Sequence, residues 1–264
     1  MAPPSADTSP FRNVGVDAGR HRELLAEAQV LRANTYLNLG ALDPAQLSSG
    51  GRHIHPADDR SWHLLTLDGP GRVAACLRYQ EHRGNVPFQD LTIASTSLAT
   101  SDRWATSLRS AVEGELAEAR RRGASYVEMG GWAITEALRC TTEALRMIVT
   151  TYGMAELSGG ALGITTATLR SCSAAILRRV GGERLSDRGV PLPPYFEHGY
   201  KSIEAEILRF DSSAPNPRYR KWLNECRAQL IDMPVICRES ARRLFMAPAV
   251  LNFGYVTEPL GGLA

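Results

Sequence analysis

The spacing of hydrophobic positions changes several times along this chain, and each change marks an element. Residues 17–40 carry Leu24, Leu25, Ala28, Leu31 and Tyr36 at helical intervals, with Gly40 closing the run. This predicts an amphipathic helix. Residues 41–60, rich in Gly, Ser, Pro and Asp, read as a loop. Residues 62–82 alternate apolar and polar on either side of Asp68-Gly69-Pro70-Gly71, the pattern of a β-hairpin. Residues 90–99 supply a candidate third strand. Helical spacing returns over 101–125, where Trp104, Leu108, Val112, Leu116 and Ala119 share one face. Ser101 or Asp102 is placed to cap that helix and Gly123 to stop it.

The stretch from Tyr126 to Gly182 is the most informative. A β-favouring run (Tyr126, Val127, Trp132, Ile134) leads into helical spacing set by Leu138, Leu145, Ile148 and Val149. Residues 161–169 are a second β-branched run, and residues 170–182 a short amphipathic helix closed by Gly181 and Gly182. A long strand over 202–210, a helix over 218–230 and a mixed tail over 244–256 complete the chain. The order predicts an α/β fold: a mixed, mostly antiparallel sheet flanked by helices, with extra N- and C-terminal helical elements. One domain is expected over 16–264, its C-terminal extension beginning near residue 212. Residues 1–15, polar and rich in Pro and Ser, lack the basic-then-apolar pattern of a signal peptide and are expected to be disordered.

Composition narrows the class of function. A hydrophobic content of 44%, a charged content of 22% and a net charge of +2 are those of an ordinary globular protein. Arginines are numerous but scattered, and Arg120 to Arg122 and Arg242-Arg243 read as solvated faces, so no nucleic-acid partner is expected. No run reaches the length of a membrane span. Five cysteines (Cys76, Cys140, Cys172, Cys226, Cys237) without close pairing suit reduced thiols in a cytoplasm.

Chemistry concentrates at the first strand-to-helix junction, Arg139-Cys140-Thr141-Thr142-Glu143-Ala144. A helix beginning there aims free backbone N–H groups at an anion, and Arg139, Thr141 and Thr142 add donors suited to a phosphate or pyrophosphate. The competing reading is a helix start whose polar residues only cap it. The arrangement resembles the core of the GNAT acyltransferase superfamily, whose phosphate loop reads Gln/Arg-x-x-Gly-x-Gly/Ala. Arg139, Thr142 and Ala144 fall on those positions, with Thr142 in place of the first Gly. The next helix of that superfamily is matched by Ala174 or Ala175, Ile176 and Gly181. Leu177 stands where a Tyr that protonates the departing thiolate is usual, and Gly182 where a Phe is. Within the superfamily the chain looks nearest to the N-acyl amino acid synthases and acyl-homoserine-lactone synthases, which share a Glu-x-Ser-Arg strand. Glu128 keeps the Glu, and Gly131 occupies the Arg position. The resemblance spans residues 62–211.

The resemblance implies transfer of an acyl group from coenzyme A or an acyl carrier protein to a small amine, an amino acid being one candidate. Glu128 is then the candidate general base, or else a partner for an arginine or a cap for a neighbouring element. Backbone N–H groups near Ala133, Ile134 and Thr135, beside an expected β-bulge, would receive the thioester oxygen. Arg146, two turns beyond Arg139, is a candidate for the 3′-phosphate, and Arg139, Arg146, Arg178 and Arg179 for docking an acidic carrier protein. Tyr195, His198 and Tyr200 are acceptor-side candidates, Tyr195 also as the proton donor to the thiolate; packing beneath a loop explains them equally well. Cys140 and Cys172 read better as plain thiols than as nucleophiles, and His53-x-His55 with Asp58 and Asp59 makes no complete metal set, so no metal is expected. Two rival functions stand beside this one: a short-chain acetyltransferase, and a module that binds an acyl thioester without turning it over.

Overall fold

The computed structural model describes residues 1–82 and 85–239. It opens with β1 (Val14–Val16), followed by α1 (Ala18–Asn38), whose first turn is capped by Asp17 accepting from Arg20 N at 2.8 Å. The hairpin is β2 (Trp62–Leu67) and β3 (Val73–His82). Helix α2 (Ala105–Arg122) ends where Gly123 adopts φ +66°, a conformation cheap only for glycine. Next come β4 (Ser125–Ile134), α3 (Glu143–Leu157), β5 (Ala161–Thr168) and α4 (Ser173–Val180). Short strands β6 (Glu183–Arg184), β7 (Ser186–Asp187), β8 (Val190–Pro191) and β9 (Tyr195–Glu197) precede β10 (Ile203–Asp211). Helix α5 (Arg220–Asp232) and β11 (Val235–Cys237) close the described chain.

The main sheet runs β2-β3-β4-β5-β10-β6, with β9 also on β10. Its neighbours are antiparallel except β4 and β5. Val127, Met129, Leu77 and Tyr79 pack with α3 and α5 on one face. On the other face Tyr126 and Ile164 pack with α2, while Cys76 and Ala133 pack with α1. The predicted mixed sheet between helices is therefore the observed one. No described helix is long and apolar enough to cross a membrane.

Two irregularities in β4 shape the centre of the sheet. The parallel pairing with β5 runs from Ser125↔Ala161 to Met129↔Thr165 and stops there, although both strands continue. The two strands therefore part. On the other edge, Cys76 pairs with Ala133 but Arg78 with Gly130, so Gly131 and Trp132 together oppose Leu77. That is a β-bulge, made by Gly131 at φ +60°. A Cβ at Gly131 would also lie 2.9 Å from Arg32 Nη1, so backbone conformation and close packing both call for glycine here.

Three expectations change. Residues 90–99 are not a strand: they form 3₁₀ turns (Phe88–Asp90, Thr92–Ser95), because the N–H groups of Thr92 and Ile93 donate to the Glu128 carboxylate instead of a ladder. Helix α2 starts later than its predicted caps, at Ala105 after Trp104, with no side-chain cap. Residues 1–15, expected to be loose, are tied down. The Met1 ammonium donates to His63 O at 2.8 Å, Ala2 bridges Cys237, and β1 pairs in parallel with β11. The predicted tail over 244–256 lies outside the described residues.

Candidate functional site

A cavity of about 630 Å³ passes through the gap between β4 and β5. At one end it meets the starts of α3 and α4, where Arg139, Arg170, Ser171, Cys172 and Ser173 line it. Two helix N-termini facing one opening create a region of positive potential rich in backbone donors. In the gap the walls are apolar, from Leu77, Met129, Ile134, Ile148, Ile164, Ile176 and Leu177. On the α1 side of the sheet the lining becomes polar and aromatic: Tyr36, His53, His55, Arg78, Glu128, Glu197 and Tyr200.

The phosphate candidates separate in space. Arg139 is exposed and lines the cavity, and Thr142 is exposed at the start of α3. Thr141 does what a capping residue does: its hydroxyl accepts from Glu143 N at 3.1 Å and donates to Leu138 O at 2.7 Å. Arg146 turns away from the opening, holding Glu143 at 2.7 and 2.8 Å and reaching Thr66 at 3.2 Å. Ala144 is buried against the cavity. Among the backbone candidates, Thr135 N–H donates to Ala74 O at 2.8 Å. Alternation along an antiparallel ladder then turns the Ile134 N–H away from β3, toward the gap β5 has left. Ala133 lines the same gap.

Glu128 is buried, and its two oxygens accept from Thr92 N and Ile93 N, both at 2.9 Å, and meet His82 Nε2 at 3.1 Å. Burial alone would raise its pKa; His82 and the two N–H groups outweigh that and leave it lowered. A carboxylate so engaged anchors the 92–96 segment, which forms one cavity wall. Tyr195 packs in the α2-side core and does not line the cavity. Tyr200 does line it, edge-on to Tyr36 at 5.8 Å, while His198 is exposed and does not. Cys140 and Cys172 are exposed at the starts of α3 and α4, both at φ 59°, and only Cys172 lines the cavity.

The site contains groups that hydrophobic periodicity did not single out. Arg32, on the buried side of α1, grips Asp58 through two hydrogen bonds of 2.7 and 2.6 Å. Gln29 and His55 N complete the Asp58 shell at 2.9 and 3.0 Å. Burial would raise the Asp58 pKa, but the Arg32 guanidinium holds it well below the usual carboxylate range. Arg78 reaches the same carboxylate only at 3.5 Å, and its Nε is buried without a partner among the described residues. His53 and His55 are pushed down to about 4, first by burial and then by the nearby arginines, and are neutral at pH 7. His55 Nδ1 accepts from Ala57 N at 3.1 Å and Asp58 is committed to Arg32, which takes apart the candidate metal set. Glu197, unnoticed in the sequence, accepts from Ser97 Oγ, Ser97 N and Gly199 N at 3.0 to 3.2 Å.

No protein-family model and no curated protein matches this chain. Solved structures do match. BjaI, a CoA-dependent acyl-homoserine lactone synthase solved with MTA, aligns over 83% of this chain and 89% of its own, at 13% identity and a TM-score of 0.51. The chain has a GNAT-type fold. LasI, an acyl-homoserine lactone synthase, aligns over 72% of this chain and 84% of its own at 15% identity and a TM-score of 0.48. FeeM, an N-acyl amino acid synthase from uncultured soil microbes, aligns over 77% and 95% at 14% identity and a TM-score of 0.43. At these identities the likeness concerns the GNAT fold, and the chemistry is argued from this chain's own residues.

Proposed function

We propose that this protein transfers an acyl group from a thioester to a small amine, with an amino acid as the acceptor class. The observation that carries the reading is the parting of β4 from β5 after Met129 and Thr165, with a cavity running through it between two helix N-termini and a polar chamber. A pantetheine arm fits such a gap, its phosphates at Arg139, Thr142 and the N–H groups of Ala144 and Leu145, since Glu143 N–H is taken by Thr141. Coenzyme A and an acyl carrier protein present the same arm. Thr141 and Arg146 then serve α3 itself, as a cap and as the partner of Glu143.

In the reaction, the amine lone pair attacks the thioester carbonyl, the C–N bond forms and the carbonyl oxygen becomes an oxyanion. The Ile134 N–H, turned toward the gap, is the donor for that oxygen. Collapse breaks the C–S bond, and the proton lost by the amine ends on the departing sulfur, so thioester and amine give amide and thiol. With Leu177 in the tyrosine position and Tyr195 off the cavity, the protic groups lining the gap include the hydroxyls of Thr165, Thr166, Thr168, Ser171 and Ser173. Glu128 acts through the wall it anchors. All five cysteines are free, which suits a reducing compartment such as the cytoplasm.

The test is incubation with acetyl-CoA, a long-chain acyl-CoA and an acyl carrier protein thioester, each with an amino-acid mixture, following thiol release and product mass. N-acylated product with stoichiometric free thiol supports the reading. Product from acetyl-CoA alone makes the protein a short-chain acetyltransferase. A donor that binds with no thiol release from any amine overturns catalysis in favour of a binding module.

A further inference from the structure

On the α1 side of the cavity, the cluster of Arg32, Arg78 and Asp58 carries one positive charge more than its carboxylate neutralises. Arg32 and Arg78 share a single carboxylate, Asp58, and Arg32 takes both of its oxygens at hydrogen-bond distance. Arg78 is left at 3.5 Å, 7% exposed, lining the cavity, with its Nε unpartnered among the described residues. A buried guanidinium without a close counter-anion is costly, and burial works against the charge here. His53 and His55, on the same wall, are neutral and add no competing charge. Among the described residues the other charged groups on this side of the cavity are Glu128 and Glu197, whose oxygens accept from backbone N–H groups of the 92–97 segment and Gly199. Gly130 and Gly131 leave bare backbone beside Arg78: a Cβ at Gly130 would lie 3.1 Å from its Nη2.

We infer that Arg78 is the receptor for an anionic group of the acceptor, a carboxylate carried on the same small molecule as the amine. The inference rests on the acyl-transfer reading and adds to it the residue that orients the acceptor. Arg78 stands opposite Gly130, one residue past the point where β4 and β5 part, so a carboxylate held there keeps an α-amine within reach of a thioester in the gap. Guanidinium and carboxylate match as two parallel hydrogen bonds, which fixes direction as well as position. The edge-on rings of Tyr36, His53 and Tyr200 offer the acceptor's side chain an aromatic wall. Arg78 is thus a binding and specificity residue, and the bond-making atoms lie beyond it.

The experiment compares matched pairs: phenylalanine against phenethylamine and leucine against isopentylamine, with one thioester donor, measured as kcat/KM from thiol release. Losing a charge-assisted hydrogen bond costs about 10- to 100-fold, so the amino acid is expected to lead its decarboxylated partner by that ratio. In Arg78→Met the ratio collapses toward unity, and Arg78→Lys restores part of it. Phenylalanine binding without donor, followed by calorimetry, weakens in the same order among variants whose circular dichroism matches the parent. Equal rates for both members of each pair in the parent protein overturn the Arg78 assignment and leave acyl transfer standing. No thiol release from any amine overturns acyl transfer itself, and phenylalanine binding unaffected in Arg78→Met overturns the receptor independently of turnover.

Discussion

Arg32 and Asp58 meet face to face inside the protein, Nη1 on Oδ1 at 2.7 Å and Nη2 on Oδ2 at 2.6 Å. Their side chains are 1% and 3% exposed. Deleting one partner strands the other charge away from water, so Asp58→Ala should cost about 3–5 kcal/mol. Replacing both, as Arg32→Met with Asp58→Leu, should recover much of that loss. Urea unfolding of the three variants decides the matter, and a cost below about 1 kcal/mol for Asp58→Ala would contradict a buried, closed pair.

Glu128 links the sheet to the cavity wall. Glu128→Gln keeps the shape but replaces one accepting oxygen with an N–H₂ group that faces Thr92 N or Ile93 N. A loss of about 1–3 kcal/mol in stability is expected, the cost of an unsatisfied buried group. Hydrogen exchange over residues 91–97 should speed up in the same variant. Unchanged exchange there would show that the wall does not depend on the carboxylate.

Stability should fall as the solution is acidified. His53 and His55 sit near 4 and His63 near 3, each lowered first by burial. In the unfolded chain they titrate at the ordinary value of 6.5. Between these values the unfolded state binds more protons than the folded one, so lowering the pH through that window favours unfolding. Asp58 adds its own loss only further down, as pH falls below the ordinary carboxylate value. Thermal melts from pH 7 to pH 4 should show a steady drop in Tm, and a flat profile would mean that these imidazoles are hydrated in the folded protein.

Gly131 is held by two constraints at once. Its φ of +60° disfavours any Cβ, and the added atom would press on Arg32 Nη1 at 2.9 Å. Gly131→Ala is therefore expected to destabilise by about 1–3 kcal/mol, combining left-handed strain with displacement of a buried guanidinium. Chemical denaturation measures this, and a neutral effect would mean that the bulge relaxes freely.

Arg139 and Arg146 differ in what surrounds them. Arg139 is exposed on the cavity rim, and Arg146 is bound to Glu143 and Thr66. Under the proposed function, Arg139→Ala should raise the donor KM about tenfold, the worth of one charge-assisted contact. Arg146→Ala should act on the melting temperature instead. A donor KM that rises only with Arg146→Ala would reverse the two assignments.

The elements that sequence reading recovered are those whose burial repeats at a fixed interval. Both long strands of the hairpin, the helices α2, α3 and α5, and the β4-α3-β5-α4 order follow from spacing and glycine stops. Residues 90–99 escaped because a distant carboxylate, Glu128, captured their N–H groups, and no local pattern records that. The polar chamber was harder still. Arg32 lies on the buried face of a helix predicted only as amphipathic, and its partner Asp58 sits in a segment read only as a loop. The one available signal was spacing: Arg32 follows Leu24 and Ala28 at four-residue intervals, so a charged residue occupied a core position.

The pairing of β1 with β11 joins residues from opposite ends of the described chain, Val14 beside Val235 and Val16 beside Cys237. A contact of that sequence separation closes a very large loop and forms late. During synthesis the first strand emerges long before its partner exists. It must wait, unpaired, until β11 has left the ribosome, and only then does the edge beneath α1 become complete. A segment made long before its partner is thus among the last to be fixed in place.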